Sequence, residues 1–144
     1  MKISSRGRHG IRFLLDLALH YNEGHVTLAS IAERQNISAW HLEQVAIILR
    51  RTGFIRSIKG SSGGYSLTRR PENISLGEAL RTLEGDMLIT DPPLPGEREK
   101  KYAATVRRVV FDRLNEKISQ IIDADSLASL TRNTETSESY TYVI

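Results

Sequence analysis

Trp40, His41, Glu43 and Gln44 sit within five positions at the head of an apolar-periodic segment. An indole N–H, an imidazole, a carboxylate and a carboxamide are groups that read flat heteroatom edges. A carboxylate accepts from an amino group such as cytosine N4, and an amide pairs with adenine. Cations and hydroxyls able to hold phosphate lie around them: Lys2, Ser4, Arg6 and Arg8 at the start, Ser38, Arg50 and Arg51 beside the cluster, and Arg56, Lys59, Ser61 and Ser62 beyond it. Catalytic chemistry has little to stand on. His9, His20, His25 and His41 are scattered, no nucleophile–base spacing occurs, and Gly60–Gly64 lacks the Lys-Ser/Thr step of a phosphate loop. His20 and His25 could form a metal pair, but Asn22-Glu23-Gly24 between them reads as a plain turn, and a solvated surface pair is the commoner outcome. No enzyme is expected, nor a cofactor.

Elements with the right periodicity place these groups. From Ser38 to Gly53, Leu42, Val45, Ala46 and Leu49 share one helical face, with a capping serine before and a glycine after. Phe54–Lys59 and Tyr65–Thr68 are strand-like and flank the glycine-rich tip 60–64, which predicts a tight hairpin. Upstream, Thr27 caps a segment 28–35 with Leu28, Ile31 and Ala32 on one face, and Asn36-Ile37-Ser38 is short enough for a helix-turn-helix. Ile11, Leu14, Leu15, Ala18 and Leu19 predict an earlier helix from about Arg8 to Tyr21. Three helices followed by a hairpin is the winged form of helix-turn-helix: the third helix enters a DNA groove and the hairpin tip lies along phosphate, with Gly63, Gly64 and Tyr65 in the tip.

Downstream, Ser75 caps 76–84, where Leu76, Ala79, Leu80 and Leu83 make the apolar face and Glu78 completes a capping box. The prolines of 91–96 bar a helix there, so 85–96 reads as a linker after a winged-helix domain over 1–84. A long amphipathic helix is predicted from Glu97 to Asp123, with Val106, Val109, Val110, Leu114, Ile118, Ile121 and Ile122 along one side. So long a stripe suits pairing with a second copy; folding back onto the first helix is the alternative. One further helical turn at 126–130 closes a dimerisation region over 97–130, and 131–144 reads as a polar tail, mobile over 131–139. The expected class is mostly α with a small β-hairpin: a winged helix-turn-helix plus a long C-terminal dimerisation helix.

Charge agrees with the placement. Residues 1–70 hold 11 Lys and Arg against 4 Asp and Glu, a balance of +7, whereas 71–144 hold 9 against 13, a balance of −4. Segregated positive charge favours a polyanion, because each cation near phosphate releases condensed counterions. No apolar run approaches the roughly 18 residues of a membrane helix, and the first residues lack the core of a secretory signal, so a cytoplasmic protein with no membrane partner is expected.

Met1–Arg8, His41-Leu42-Glu43-Gln44, the wing from Gly53 to Tyr65 and the helix ending Leu83-Glu84-Gly85 together resemble the Rrf2-type transcriptional regulators over residues 1 to about 85, and the long helix resembles their dimerisation helix. The resemblance implies a homodimer on a palindromic operator in double-stranded DNA, acting as a repressor. His41 stands where that family usually has tyrosine, and Lys59 where it has arginine, which bears on base preference more than on DNA binding. Many relatives hold an iron–sulfur cluster on three cysteines between wing domain and long helix; this chain has no cysteine. Among cysteine-poor relatives it resembles the cysteine-metabolism repressors, which implies a role in sulfur metabolism and cysteine synthase as a partner of the tail Tyr140-Thr141-Tyr142-Val143-Ile144, an ordinary terminal segment being the alternative. The other readings are an iron–sulfur-biogenesis or stress regulator of the same family, or a winged-helix module that binds protein.

Overall fold

The computed structural model describes the backbone of residues 1–141 and the side chains of 1–137. Helix α1 (Ser5–Leu19) is capped by Ser4, α2 (Leu28–Gln35) by Thr27 and α3 (Ala39–Arg51) by Ser38, each hydroxyl accepting a backbone N–H of the first turn. The turn between α2 and α3 works because Asn36 takes a left-handed conformation with φ of 51°, a geometry asparagine tolerates, while Ile37 is buried as a plug. Strands β1 (Ile55–Ile58) and β2 (Gly64–Leu67) pair antiparallel, Ile55 opposite Leu67 and Arg56 opposite Ser66. Val26 adds one bridge to Tyr65 with bonds of 2.9 and 2.8 Å in the two directions. Its near backbone is why position 64 is glycine: a β-carbon there would lie 2.5 Å from the Val26 carbonyl oxygen.

The core is one cluster. Phe13, Leu14 and Leu17 of α1 meet Ile31 of α2, Leu42, Val45, Ala46 and Leu49 of α3, and Phe54, Ile55 and Leu67 of the hairpin. Burying each large apolar side chain contributes about 1.5–3 kcal/mol, so α3 is held by one face and must show the other to solvent. Among the described residues one charge lies within this core. Asp16 is 1% exposed and accepts from Arg34 Nε at 3.1 Å and NH2 at 2.7 Å, and from Gln35 Nε2 at 3.0 Å, which clamps α2 onto α1. Removing its guanidinium partner would leave the buried carboxylate with the Gln35 amide and His20, 3.7 Å away, and no permanent cation, a loss on the order of 3 kcal/mol.

A short 3-10 turn, Pro71–Asn73, leads into α4 (Leu76–Glu84), capped by Ser75. Helix α4 crosses α1 closely because Gly7 and Gly10 carry no β-carbon where Glu84 and Leu83 lie. The segment after α4 is irregular but docked: Met87 is buried, and the Ile89 N–H donates to Asn115 Oδ1 at 2.6 Å. The long helix begins at Lys101 rather than Glu97, because the Glu97 N–H closes a turn onto the Leu94 carbonyl and its carboxylate accepts the Leu94 N–H at 3.1 Å. It runs as α5 (Lys101–Val106), a π turn (Arg107–Phe111) and α6 (Asp112–Ala124), continuous in right-handed backbone. Arg107 spans the widened turn, bound to Glu99 and to Asp112, both at 2.8 Å.

The last helix departs from the expected single turn. Helix α7 (Leu127–Thr141) continues through the polar stretch that reads as mobile, since 127–141 contains no glycine or proline and the Thr131, Thr134, Thr136 and Ser137 hydroxyls donate back to carbonyls three or four residues earlier. Its first turn belongs to the winged-helix core: Leu127 is fully buried, and residues 74–76 and 125–127 exchange backbone bonds of 2.9 and 3.0 Å. A bidentate pair between Arg81 and Asp123, at 2.7 and 2.9 Å, ties α4 to the end of α6. Among the described residues no helix is long and apolar enough to cross a membrane. Because the C-terminal region completes the core, Leu127→Ala should destabilise the whole chain by about 2–5 kcal/mol in urea unfolding, with one cooperative transition.

Candidate nucleic-acid interface

The free face of α3 carries Trp40, Glu43, Gln44 and Ile47 at steps of three and four, so the four side chains lie on one stripe opposite the buried one. Trp40 is 64% exposed and Ile47 42%, which places neither in the core. His41 is exposed at the head of the helix, its Nδ1 2.7 Å from Ser38 Oγ, and the ring of Trp40 stands edge-on to it at 5.1 Å. A carboxylate, an amide, an imidazole and an indole thus stand at one helix end beside an apolar side chain that suits a thymine methyl. Ile47 is absent from the residues read as base contacts, although the step of seven from Trp40 would have marked it.

The cations fall into two groups. Arg50 and Arg51 are exposed in the last turn of α3, with Arg50 NH1 3.4 Å from Ser57 Oγ; on the wing Arg56 donates from Nε to its cross-strand partner Ser66 at 3.1 Å, and Lys59, Ser61 and Ser62 are exposed at the tip. Arg50 thereby links the end of α3 to the first strand of the wing. Gly63 and Gly64 serve the wing's own backbone, since a β-carbon at 63 would meet the Ile58 carbonyl. Tyr65 is half-buried, its ring edge-on to Phe13 at 5.5 Å, so it props the wing on α1.

At the N-terminus the groups are differently engaged. The Ser4 hydroxyl donates to Glu84 Oε1 at 2.5 Å, and Arg6 Nε donates to the Leu83 carbonyl at 2.8 Å, which staples the start of α1 to the end of α4. Arg8 donates to the Ile3 carbonyl at 2.7 Å and to Ser5 but stays exposed, as does Lys2. Sequence reasoning passed over His9 and Arg12, whose positions on α1 bring them beside α3 and α2: His9 packs on His41 at 5.5 Å, and Arg12 donates to the Gln35 side chain and carbonyl. The stripe on the long helix is uncovered, with Val106, Val109, Val110, Leu114 and Ile121 between 43% and 69% exposed and Ile118 and Ile122 half-buried.

A family description reading "Rrf2: Iron-dependent Transcriptional regulator" matches residues 3–133. The HTH-type transcriptional regulator CymR of Bacillus subtilis (strain 168) is 32% identical over 145 residues, spanning 100% of both chains. The chain belongs to the Rrf2 family. The HTH-type transcriptional regulator IscR of Erwinia tasmaniensis is 34% identical over 140 residues, 94% of this chain and 81% of that protein. The solved structure of CymR, described as the global cysteine regulator of B. subtilis, superposes with a TM-score of 0.77 over 92% of this chain and 98% of that one at 32% identity. The Rrf2 relatives are DNA-binding transcriptional regulators and not enzymes, and their winged helix with a long C-terminal helix is the fold found here.

Iron in the family description calls for a test of this Rrf2 chain's donors. It has no cysteine, and among the described residues no three His, Asp or Glu side chains converge to hold a metal ion. In the segment before the long helix, Glu99 is taken by Arg107, whose guanidinium holds the carboxyl below its usual range, and Glu97 by the Leu94 N–H. The donor set does not fit a thiolate-held cluster.

The staple at the N-terminus has a pH signature. Glu84 is held below its ordinary 4.5, chiefly by the Ser4 hydroxyl, then by the Ser4 and Gly7 N–H groups and Arg6. A carboxyl whose folded value is depressed contributes stability above the unfolded value and loses it as pH falls through the folded one. In urea unfolding, Glu84→Gln should be less stable than the natural chain at neutral pH by no more than about 1 kcal/mol after solvent screening, and the gap should narrow as the pH falls below the ordinary carboxyl value of 4.5.

Proposed function

We propose that this Rrf2 protein represses transcription by binding a palindromic operator as a homodimer, with the free face of each α3 in a major groove and each wing on the flanking phosphates. The observation that carries this is the exposed hydrogen-bonding face of α3 together with the exposed cations of a wing that Arg50 links to α3 through Ser57. On this reading Glu43 and Gln44 read base edges, with Trp40, His41 and Ile47 around them, while Arg50, Arg51, Arg56, Lys59 and the tip hydroxyls hold backbone. Arg8 lends charge from the first turn of α1 and Lys2 from the segment before it, whereas Ser4 and Arg6 act through the staple to α4 and Tyr65 through its packing.

The dimer follows from the uncovered stripe of Val106, Val109, Val110, Leu114 and Ile121, which a second copy would bury along a two-fold axis, with Ile118 and Ile122 at its inner edge. Such a protein acts in the cytoplasm, where it meets DNA. The description of the B. subtilis relative as a global cysteine regulator supports genes of cysteine metabolism as the regulated set. Cysteine synthase as partner belongs to the same reading through residues 140–144, of which 142–144 lie outside the described residues.

The two roles separate by substitution. Glu43→Ala should relax preference at one base pair of each half-site by about 1–3 kcal/mol, read by competition among single-base variants of a duplex selected from a random pool. Arg56→Ala should weaken every duplex alike and lower the salt slope by about one. Equal losses on all sequences for both variants would overturn the assignment.

A further inference from the structure

The interface contains two histidines, one on α1 and one on α3, that the fold brings into contact. Their ring centroids are 5.5 Å apart with planes tilted by 52°, so His9 packs on a ring that Trp40 also meets, edge-on at 5.1 Å. His41 has a third hold. Ser38 Oγ, 2.7 Å from Nδ1, also accepts the His41 backbone N–H at 3.3 Å. A hydroxyl donates to a neutral Nδ1 and accepts from a protonated one, so this contact survives either charge state. In the neutral tautomer whose Nδ1 accepts from the hydroxyl, Nε2 carries the hydrogen and is a donor at the helix head, as it is in the imidazolium.

The charges that act on His9 have one sign. His9 is held below its usual 6.5, first by partial burial and then by His41, Arg12 and Arg8. Arg12 is turned toward α2, where it meets the Gln35 amide, and Arg8 toward the Ile3 carbonyl. Thus α1 presents two arginines and α2 a neutral amide. On α3 the nearest carboxylate in sequence is Glu43, two residues from His41, a spacing that does not bring helical side chains together. Among the described residues the charges that act on His9 are thus cationic, and the phosphates of a bound duplex would supply the opposite sign.

Resting on the reading that α3 enters DNA, we propose that His9 and His41 form a proton-linked pair that tightens operator binding as pH falls. His9 acts as a positioning residue: it holds the His41 ring, and its own charge adds to the attraction for phosphate. Phosphate stabilises the imidazolium in the complex more than anything does in the free chain, so binding takes up protons, and affinity rises as pH falls between the bound and free titration ranges.

The test uses the full chain and a duplex of about 30 base pairs selected from a random pool, titrated at fixed salt between about pH 8 and pH 6, where circular dichroism reports the fold. Each proton taken up contributes at most a factor of ten per pH unit, and the pair should give roughly a ten-fold gain over the range. His9→Tyr keeps a ring against His41 but has no proton to exchange there, and should cut the slope of log affinity against pH by about half; adding His41→Tyr should flatten it. Ring-proton NMR gives a second reading without substitution, with both imidazoles titrating higher in the complex than in the free chain. A flat or inverted profile in the natural chain, an undiminished slope in the double variant, or imidazole titrations unmoved by DNA would overturn the pair while leaving salt-dependent DNA binding intact. Absence of binding at every pH and at low salt would instead overturn the DNA reading and the pair with it.

Discussion

Burial of one face of α3 is the constraint on which the rest of the molecule depends. Leu42, Val45, Ala46 and Leu49 pack against Phe13, Leu14 and Leu17 of α1 and the foot of the hairpin, and a helix buried on one side has only its other side for a partner. The same packing fixes the angle at which that side is shown. Asp16 locks α2 through Arg34 and Gln35, Asn36 turns the chain in three residues, and Ser38 starts α3 so that Trp40, His41, Glu43 and Gln44 fall in its first turns. A recognition surface of this kind is rigid because the core behind it is.

The C-terminal region is bound into that core. Leu127 is buried against the winged helix, the strand-like segments 74–76 and 125–127 exchange hydrogen bonds, and Arg81 grips Asp123. The apolar stripe of the long helix therefore leaves the body at an angle set by the same hydrophobic cluster that orients α3. In the proposed dimer, the distance between the two recognition helices would follow from this one packing arrangement, and half-site spacing would be a property of the core as much as of the interface.

Much of this was legible in the residues. The period of α3, the serine and threonine caps and the glycine-rich hairpin predict the winged helix, because capping and periodicity are local and act over a few positions. Long-range pairings left weaker marks. Nothing local shows that Asp16 is buried, that Ser4 and Arg6 are tied to Glu84 and Leu83, or that Leu127 fills the core, since each depends on a partner 18 or more positions away. The helical state of 131–141 was hidden for a different reason: threonine and serine score poorly in helices, yet here their hydroxyls bond back to the helix carbonyls. His9 was overlooked because its neighbour, His41, is 32 residues away in sequence and in ring contact in space.

Hydroxyl-radical footprinting of the full chain on a duplex selected from a random pool tests the central claim most directly. A two-fold pair of recognition helices predicts two equivalent protected patches on one face of the duplex, separated by about one helical turn or a whole number of turns, with flanking backbone covered by the wings. A single patch, patches without two-fold symmetry, or no protection at low salt would contradict it.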